Sequence, residues 1–393
     1  MDFKAESAIF TAAGVGCMKY SLTIIVLTLL VFWGLSRIGR QADYVPGKIN
    51  IEFWTYKSGE SLDRTIRFWR GAADEFMREH PEVHVKVVAD IAHGNYPQIV
   101  STRAIAGNPP DVMITDDNLM PPFNNAQQYA PLESFIRNDP SYHPEHYATS
   151  MVNDGYVGDT RYSIPWYGGY CCLFYRTDLF RQAGVEPPRT WDELISVSKI
   201  LRQKCGLEYP FGFMPASSFT MMTWVWQNDG DILSADFRKV RSGEPETVGA
   251  VQFVHDLLYK HAIADPRLAQ GVQPDKLWSA GKTAMMIDGS WVIGLIDENY
   301  PHLKGRWSVA PLPAGKRARG FYGGQHLVMS RHCRNKEAAW QFMSFVTRPH
   351  IQERWSDLVG SPPGNLRVFQ SPTFKKNHPK FVKMYDAMVN GKN

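Results

Sequence analysis

The sequence predicts a mixed α/β protein of two lobes, and three observations carry that prediction. At 393 residues and 44% apolar composition the chain can bury two cores. It opens with a β-α-β-α-β alternation, the pattern of a parallel sheet covered by helices on both faces. A second α/β unit then follows a turn-rich stretch.

The elements are read in chain order. Gln41 to Gly47 is a linker, and Ile49 to Trp54 is a buried strand. Leu62, Ile66, Trp69, Ala73 and Phe76 recur at helical spacing, and that helix stops before Pro81. Val83, Val85 and Val87 alternate with His84 and Lys86 at strand period. A helix over Ile99–Ile105 ends at Gly107, and Asp111–Thr115 is the next strand. The second unit begins with an apolar strand, Tyr170–Tyr175. Thr190 to Glu193 is a capping box that opens a helix with Leu194, Val197 and Leu201 on its core face, and Gly206 to Pro210 ends it. A helix over Val248–His261 follows, then strands at Thr283–Ile287 and Trp307–Ala310, then a helix over Lys336–Thr347 closed by Pro349.

Charge narrows the function classes. The formal net charge is +4, and setting aside Lys4, Lys19, Arg37 and Arg40 with Asp2 and Glu6 leaves +2 on the rest. No basic stripe suggests nucleic acid. Tyr20 to Ser36 is an uncharged, largely apolar run between Lys19 and Arg37, at the short limit of a membrane-spanning helix. Arg37 and Arg40 stand where a cleavage site needs small residues. Residues 1–40 are therefore expected to be a signal sequence or, by preference, an uncleaved N-terminal anchor that gives the chain its membrane contact. The start is open between Met1 and Met18. Cys17, Cys171, Cys172, Cys205 and Cys333 form no C-x-x-C pair and no metal spacing. Cys171 and Cys172 read as small buried hydrophobes on opposite faces of one strand.

Enzyme motifs fail. Ala280 to Thr283 resembles the tail of a phosphate loop, but Lys276 stands where its first glycine is required. No G-x-G-x-x-G, H-E-x-x-H or G-x-S-x-G is present, and the 12 His read as scattered, with none in a metal-like pair. Asp116 and Asp117 are adjacent, so only one of them can easily face a substrate. A ligand contact or a helix cap suits such a pair better than catalysis.

What remains is a set of phrases: PPDVMITD at Pro109–Asp116, YSIPWYGGYCCLFYRTDLFRQAG from Tyr162, WQNDGDIL at Trp226–Leu233, LWSAGKTAMMIDGSWVIGL at Leu277–Leu295, and WSVAPLPAGKRARGFYGGQHLVMS at Trp307–Ser330. In this order, over about residues 48–360, they resemble the extracellular solute-binding proteins of family 1, the sugar-binding components of ABC importers. The resemblance implies a periplasmic-binding-protein-like fold of the class II type, with a ligand cleft between the lobes. It groups 48–168 plus 283–322 as an N-terminal lobe and 169–282 plus 323–393 as a C-terminal lobe. It further implies a monomer outside the cytoplasm that closes around a sugar and delivers it to the membrane permease subunits. No catalysis, cofactor, metal or nucleic acid is expected.

Ligands of open α/β sheets sit beyond the carboxyl ends of the strands. Those positions carry Trp54, Tyr56 and Ser58 after the first strand and Asp116 after the PDVMIT strand. Asp288 and Trp291 follow AMMI, Gly323, Gly324 and Gln325 precede the last crossing, and Trp166 and Tyr167 lie at a crossing between lobes. Trp291 and Trp166 are candidate stacking platforms for the C–H face of a pyranose, and Asp116, Asp288 and Gln325 candidate partners for its hydroxyls. Trp54 and Trp226 are further candidates, with core packing as the competing role. Gln325-His326 stands where the family commonly carries an acidic residue or Asn. The alternatives are the same fold with a polyamine, iron or glycerol phosphate as ligand, a membrane-tethered carbohydrate-active enzyme, and a sensor partner.

Overall fold

The computed structural model describes residues 44–57, 62–116, 128–236 and 238–390. The apolar run Tyr20–Ser36, Cys17 and both proposed starts lie outside them, as do Ser58 and Asp117. Among the described residues no helix is long and apolar enough to cross a membrane.

Strands β1 (Ile49–Lys57), β2 (Val83–Ala92) and β3 (Val112–Asp116) run parallel in the order β2-β1-β3. Parallel neighbours need long crossovers, and the helices Leu62–Glu79 and Tyr96–Ile105 provide them. Because β1 sits between its two successors, the carboxyl ends of β1 and β3 flank a topological switch point.

The chain then forms a small ribbon, β4 (Tyr156–Val157) with β5 (Thr160–Arg161), and enters β6 (Ser163–Arg176). Further on come β7 (Phe211–Gly212), β8 (Met285–Gly289), β9 (Trp307–Ala310) and β10 (Tyr322–Met329). At 14 residues, β6 is roughly 45 Å of extended chain and serves both lobes. Its first half pairs with β10, which also pairs with β3. Its second half pairs with β8 and β9, and β7 extends that group beside β8. This strand starts seven residues before the expected Tyr170; Pro165, Gly168 and Gly169, poor strand formers, mask its first half in sequence.

Three cores follow from this sheet. The first gathers Phe53, Trp69, Phe76, Ile114, Leu327, Phe342 and Ile351. The second holds Leu173, Leu194, Leu201, Phe211, Trp224, Leu257 and Met285 under the helices Trp191–Cys205, Ser218–Gln227 and Pro245–Tyr259. The third holds Cys172, Phe174, Met286, Trp307, Phe369 and Phe381 on the other face of the same strands. Strand alternation sorts Leu173 from Cys172 and Phe174, and Met285 from Met286. Cys171 and Cys172 are buried free thiols. As expected they face opposite ways, Cys171 meeting the Thr223 hydroxyl and Cys172 the third core.

The expected exchange of segments between lobes is reversed. Ala284, Met285, Ile287 and Ala310 lie in the second core and Trp307 and Val309 in the third, so residues 283–322 stay with the second lobe. Leu327, Val328, Met329, Phe342 and Ile351 lie in the first core, so β10 carries the chain back to the first lobe, and only near Val368 does it return to the second. The reason is that β6 and β10 are antiparallel partners: one takes the chain across and the other brings it back. Thr190 caps its helix as expected, its Oγ1 accepting from the Glu193 N–H at 3.1 Å, while Glu193 Oε2 reaches one residue beyond the N-cap to accept from the Arg189 N–H at 2.6 Å.

Candidate functional site

A cavity of about 430 Å³ lies where the lobes meet. The first lobe contributes Tyr56 from the end of β1, Asp116 from the end of β3, Gln325 from β10 and His93 from the turn after β2. Tyr56 Oη donates to Asp116 Oδ1 at 2.5 Å, and His93 Nε2 lies 3.0 Å from Asp116 Oδ2. Gln325 Nε2 donates to Tyr56 Oη, and in register Gln325 stands opposite Asp116 on one side and Tyr167 on the other. The Tyr56 ring packs at 4.7 Å from His93 and 5.1 Å from Tyr96, whose hydroxyl donates to the Trp54 carbonyl at 3.1 Å. Burial first, and then the Asp116 carboxylate, push the Tyr56 hydroxyl well above its ordinary pKa, so it stays a neutral donor. The hydrogen bond to Asp116 raises His93.

The opposite wall is aromatic. Trp291 follows β8, and its turn is locked to β6 by Ser290, whose N–H donates to the Tyr170 carbonyl at 2.8 Å while its Oγ accepts from the Tyr170 N–H at 3.2 Å. The indole lies on bare backbone. A Cβ at Gly289 would stand 2.1 Å from the ring and one at Gly169 2.6 Å, so only glycine leaves room for the platform at both places. Phe219 meets Trp291 edge-on at 5.2 Å, and Phe321 lies 6.0 Å beyond it. Rooted in the second lobe, Trp291 also packs against the first core.

Tyr56, Asp116, Tyr167, Trp291, Gly323, Gly324 and Gln325 line the cavity. Trp54, Trp166, Trp226 and Asp288 are not among its lining residues, each for a local reason. Strand β1 runs on to Lys57, so Trp54 is a mid-strand residue of the first core, covered by the Arg103 guanidinium at 4.6 Å. Trp166 packs behind the cavity-lining rings, tilted at 4.6 Å from Trp69 and edge-on at 5.7 Å from Trp355. Trp226 sits at the far end of the helix Ser218–Gln227, whose first turn supplies Ser218 and Phe219, about 10 Å along the axis. Asp288 is buried beneath the platform with Oδ1 accepting from the Gly289 N–H at 2.7 Å, and burial pushes its carboxyl up to about 7.

Sequence reasoning missed His93, Phe219, Phe321, Trp355 and Thr65, and read Trp69 only as core. His93 and Phe219 each follow a strand, β2 and β7, so the carboxyl-end rule extended to every strand points to them. Trp355 carries no such mark. Among the described lining residues Asp116 is the one carboxylate, and no Lys or Arg is present. The expectation of scattered histidines also needs correction. Away from the cavity, His143, Glu145 and His146 bring three metal-type donor atoms within 4.8 Å of one another.

Two α/β lobes, joined by antiparallel strands and closing on one cavity, define a bilobal binding protein. Residues 60–353 match the bacterial extracellular solute-binding proteins, and the chain belongs to that family. Among its relatives, an arabinooligosaccharide-binding protein of Halalkalibacterium halodurans is 24% identical over 355 residues, 86% of this chain and 76% of that protein. The multiple sugar-binding protein of Streptococcus mutans is 22% identical over 336 residues, covering 80% and 75%. The same fold is seen in maltose-bound MalE3 of T. maritima, with a TM-score of 0.74 and 24% identity over 87% of this chain and 88% of that one. MalE of Xanthomonas citri has a TM-score of 0.75 and 23% identity over 86% and 84%.

Proposed function

We propose that the chain captures a sugar or oligosaccharide outside the cytoplasm and delivers it to the membrane permease subunits of an ABC importer. One observation carries the reading: an indole laid flat on a glycine floor faces a hydrogen-bonded Tyr56–Asp116–His93–Gln325 cluster across a single cavity. A pyranose presents an apolar C–H face to an aromatic ring and hydroxyls that both donate and accept at its rim. The cavity volume is that of a small-molecule site. The names of the relatives, which bind arabinooligosaccharides and other sugars, support the same ligand class. An anionic solute such as glycerol phosphate finds no Lys or Arg among the described lining residues.

The mechanism we infer is closure. A ligand that touches Trp291 from one lobe and Asp116 from the other favours the state in which both touch it, and the permease recognises that state. The protein acts as a monomer and needs no cofactor, and the apolar segment Tyr20–Ser36 keeps it beside the membrane.

A thermal-shift screen of the chain without its first 40 residues tests this against mono- and oligosaccharides, a polyamine and ferric iron. A sugar at a hundredfold excess over its Kd adds about 2.7 kcal/mol of stability and raises the melting temperature, with the sugar recovered unchanged. A shift from the polyamine or iron and from no sugar overturns the carbohydrate reading.

A further inference from the structure

Ser141–Tyr147 (SYHPEHY) is a turn clamped at both ends. Tyr142 and Tyr147 are buried in the first core, and the Tyr147 hydroxyl donates to the Thr347 carbonyl at 3.3 Å. Between them Pro144–His146 forms one 3-10 turn capped by His143, with the His146 N–H donating to the His143 carbonyl at 3.0 Å. Three residues per turn bring positions i and i+3 to the same side. The rings of His143 and His146 accordingly stand 4.6 Å apart, and Glu145 Oε1 lies 3.0 Å from His143 Nδ1. One donor atom from each residue lies within 4.8 Å of the other two, and among the described residues no other trio of His, Cys, Asp or Glu does this.

We propose that His143, Glu145 and His146 form a binding site for a divalent transition-metal ion of the zinc type, with water completing its coordination. Two imidazoles and a carboxylate are a zinc donor set, with bonds of about 2.0–2.2 Å. Tetrahedral placement needs the donors roughly 3.3 Å apart, a contraction that side-chain rotation of the exposed His143 and Glu145 can supply. Calcium and magnesium prefer all-oxygen sets, so the two imidazoles select against them. Arg367 opposes a second cation, but it is exposed, so solvent and salt screen that repulsion.

The turn has a structural neighbour that gives the site a consequence. The His146 carbonyl accepts the Leu366 N–H at 2.7 Å, in the segment that leads from the helix Pro349–Val359 of the first lobe to Val368 of the second. An ion held by the turn stiffens the support of that crossing.

The test uses the untagged full chain, stripped of metal by a chelator and dialysed, with Zn²⁺ titrated by calorimetry. One equivalent is expected to bind. His143→Ala and His146→Ala are each expected to weaken it at least tenfold, and the double variant to abolish it while keeping the metal-free melting temperature. Co²⁺ should give the intense visible absorption of a tetrahedral site in the wild type and not in the double variant. Equal Zn²⁺ binding by wild type and double variant, or none by either, overturns the site. Tighter binding of Ca²⁺ than of Zn²⁺ overturns the assigned class.

Discussion

The first lobe meets the cavity with hydrogen-bonding groups fixed to strand ends, beside the rings of Trp69 and Trp355, whereas the second meets it chiefly with aromatic faces carried on a turn, a helix start and a loop. Tyr56, Asp116 and Gln325 rise from β1, β3 and β10, neighbours in one sheet, so their spacing follows the strand spacing of about 4.8 Å. Such a wall reads where hydroxyls are. Trp291, Phe219 and Phe321 offer flat area whose attraction depends little on hydroxyl pattern. On the proposed function, the Tyr56–Asp116–Gln325 wall sets selectivity and the Trp291 platform sets affinity, a division that can be broken one wall at a time.

The largest effect is expected from the platform. Trp291→Ala should weaken every bound sugar by about 100-fold, roughly 2.7 kcal/mol, and to a similar extent, as read by calorimetry over several sugars. A loss confined to one sugar would contradict the assignment of affinity to this wall. Next comes the floor. Gly289→Ala places a methyl where the indole now lies, and should weaken binding about 30-fold with a changed Trp fluorescence maximum. An unchanged Kd and spectrum would show that the ring does not need the glycine. Smaller on average, Asp116→Asn should cost about tenfold, but unevenly, reordering the sugars by affinity. A uniform loss would remove selectivity from the first lobe.

The lobes also differ in their buried titratable groups, with no change in affinity expected. Asp288 in the second lobe has a carboxyl pushed up to about 7 by burial, against an unfolded value of about 3.9. Between those values the folded chain holds a proton that the unfolded chain has lost, so stability falls as pH rises through that window. His326 in the first lobe is held down to about 4, chiefly by burial and then by Arg161, against an unfolded value of about 6.5. There the unfolded chain takes the proton that the folded chain refuses, so stability rises with pH from about 4 to 6.5. The two slopes oppose each other over nearly the same range, so denaturant midpoints across pH 4–8 should uncover a rise with pH in Asp288→Asn and a fall with pH in His326→Gln. A curve that keeps its shape in both variants removes these groups from the account.

Much of this arrangement is legible in the sequence because it is written in short-range pattern. Valine alternation marks β2, the Thr190 box marks its helix, and the IDGSW phrase places Trp291 just past a strand end. The failures are of two physical kinds. Element ends decide which residue reaches the cavity: β1 is three residues longer than its apolar run, which leaves Trp54 mid-strand and puts Tyr56 on the lining. Long-range pairing decides which lobe owns a segment. Nothing local in Met285–Gly289 or Tyr322–Met329 says which half of β6 each will join, so the exchange of segments emerges only from the sheet. Trp355 escaped for the same reason, reaching the cavity from a helix that the sequence places close to the far end of the fold.

Calorimetry of wild type, Trp291→Ala and Asp116→Asn, each titrated with the same two epimeric sugars, tests the central claim most directly. The account predicts that Trp291→Ala weakens both sugars alike, whereas Asp116→Asn changes the ratio between them. Binding of neither sugar by the wild type, or the reverse assignment of the two effects, would contradict it.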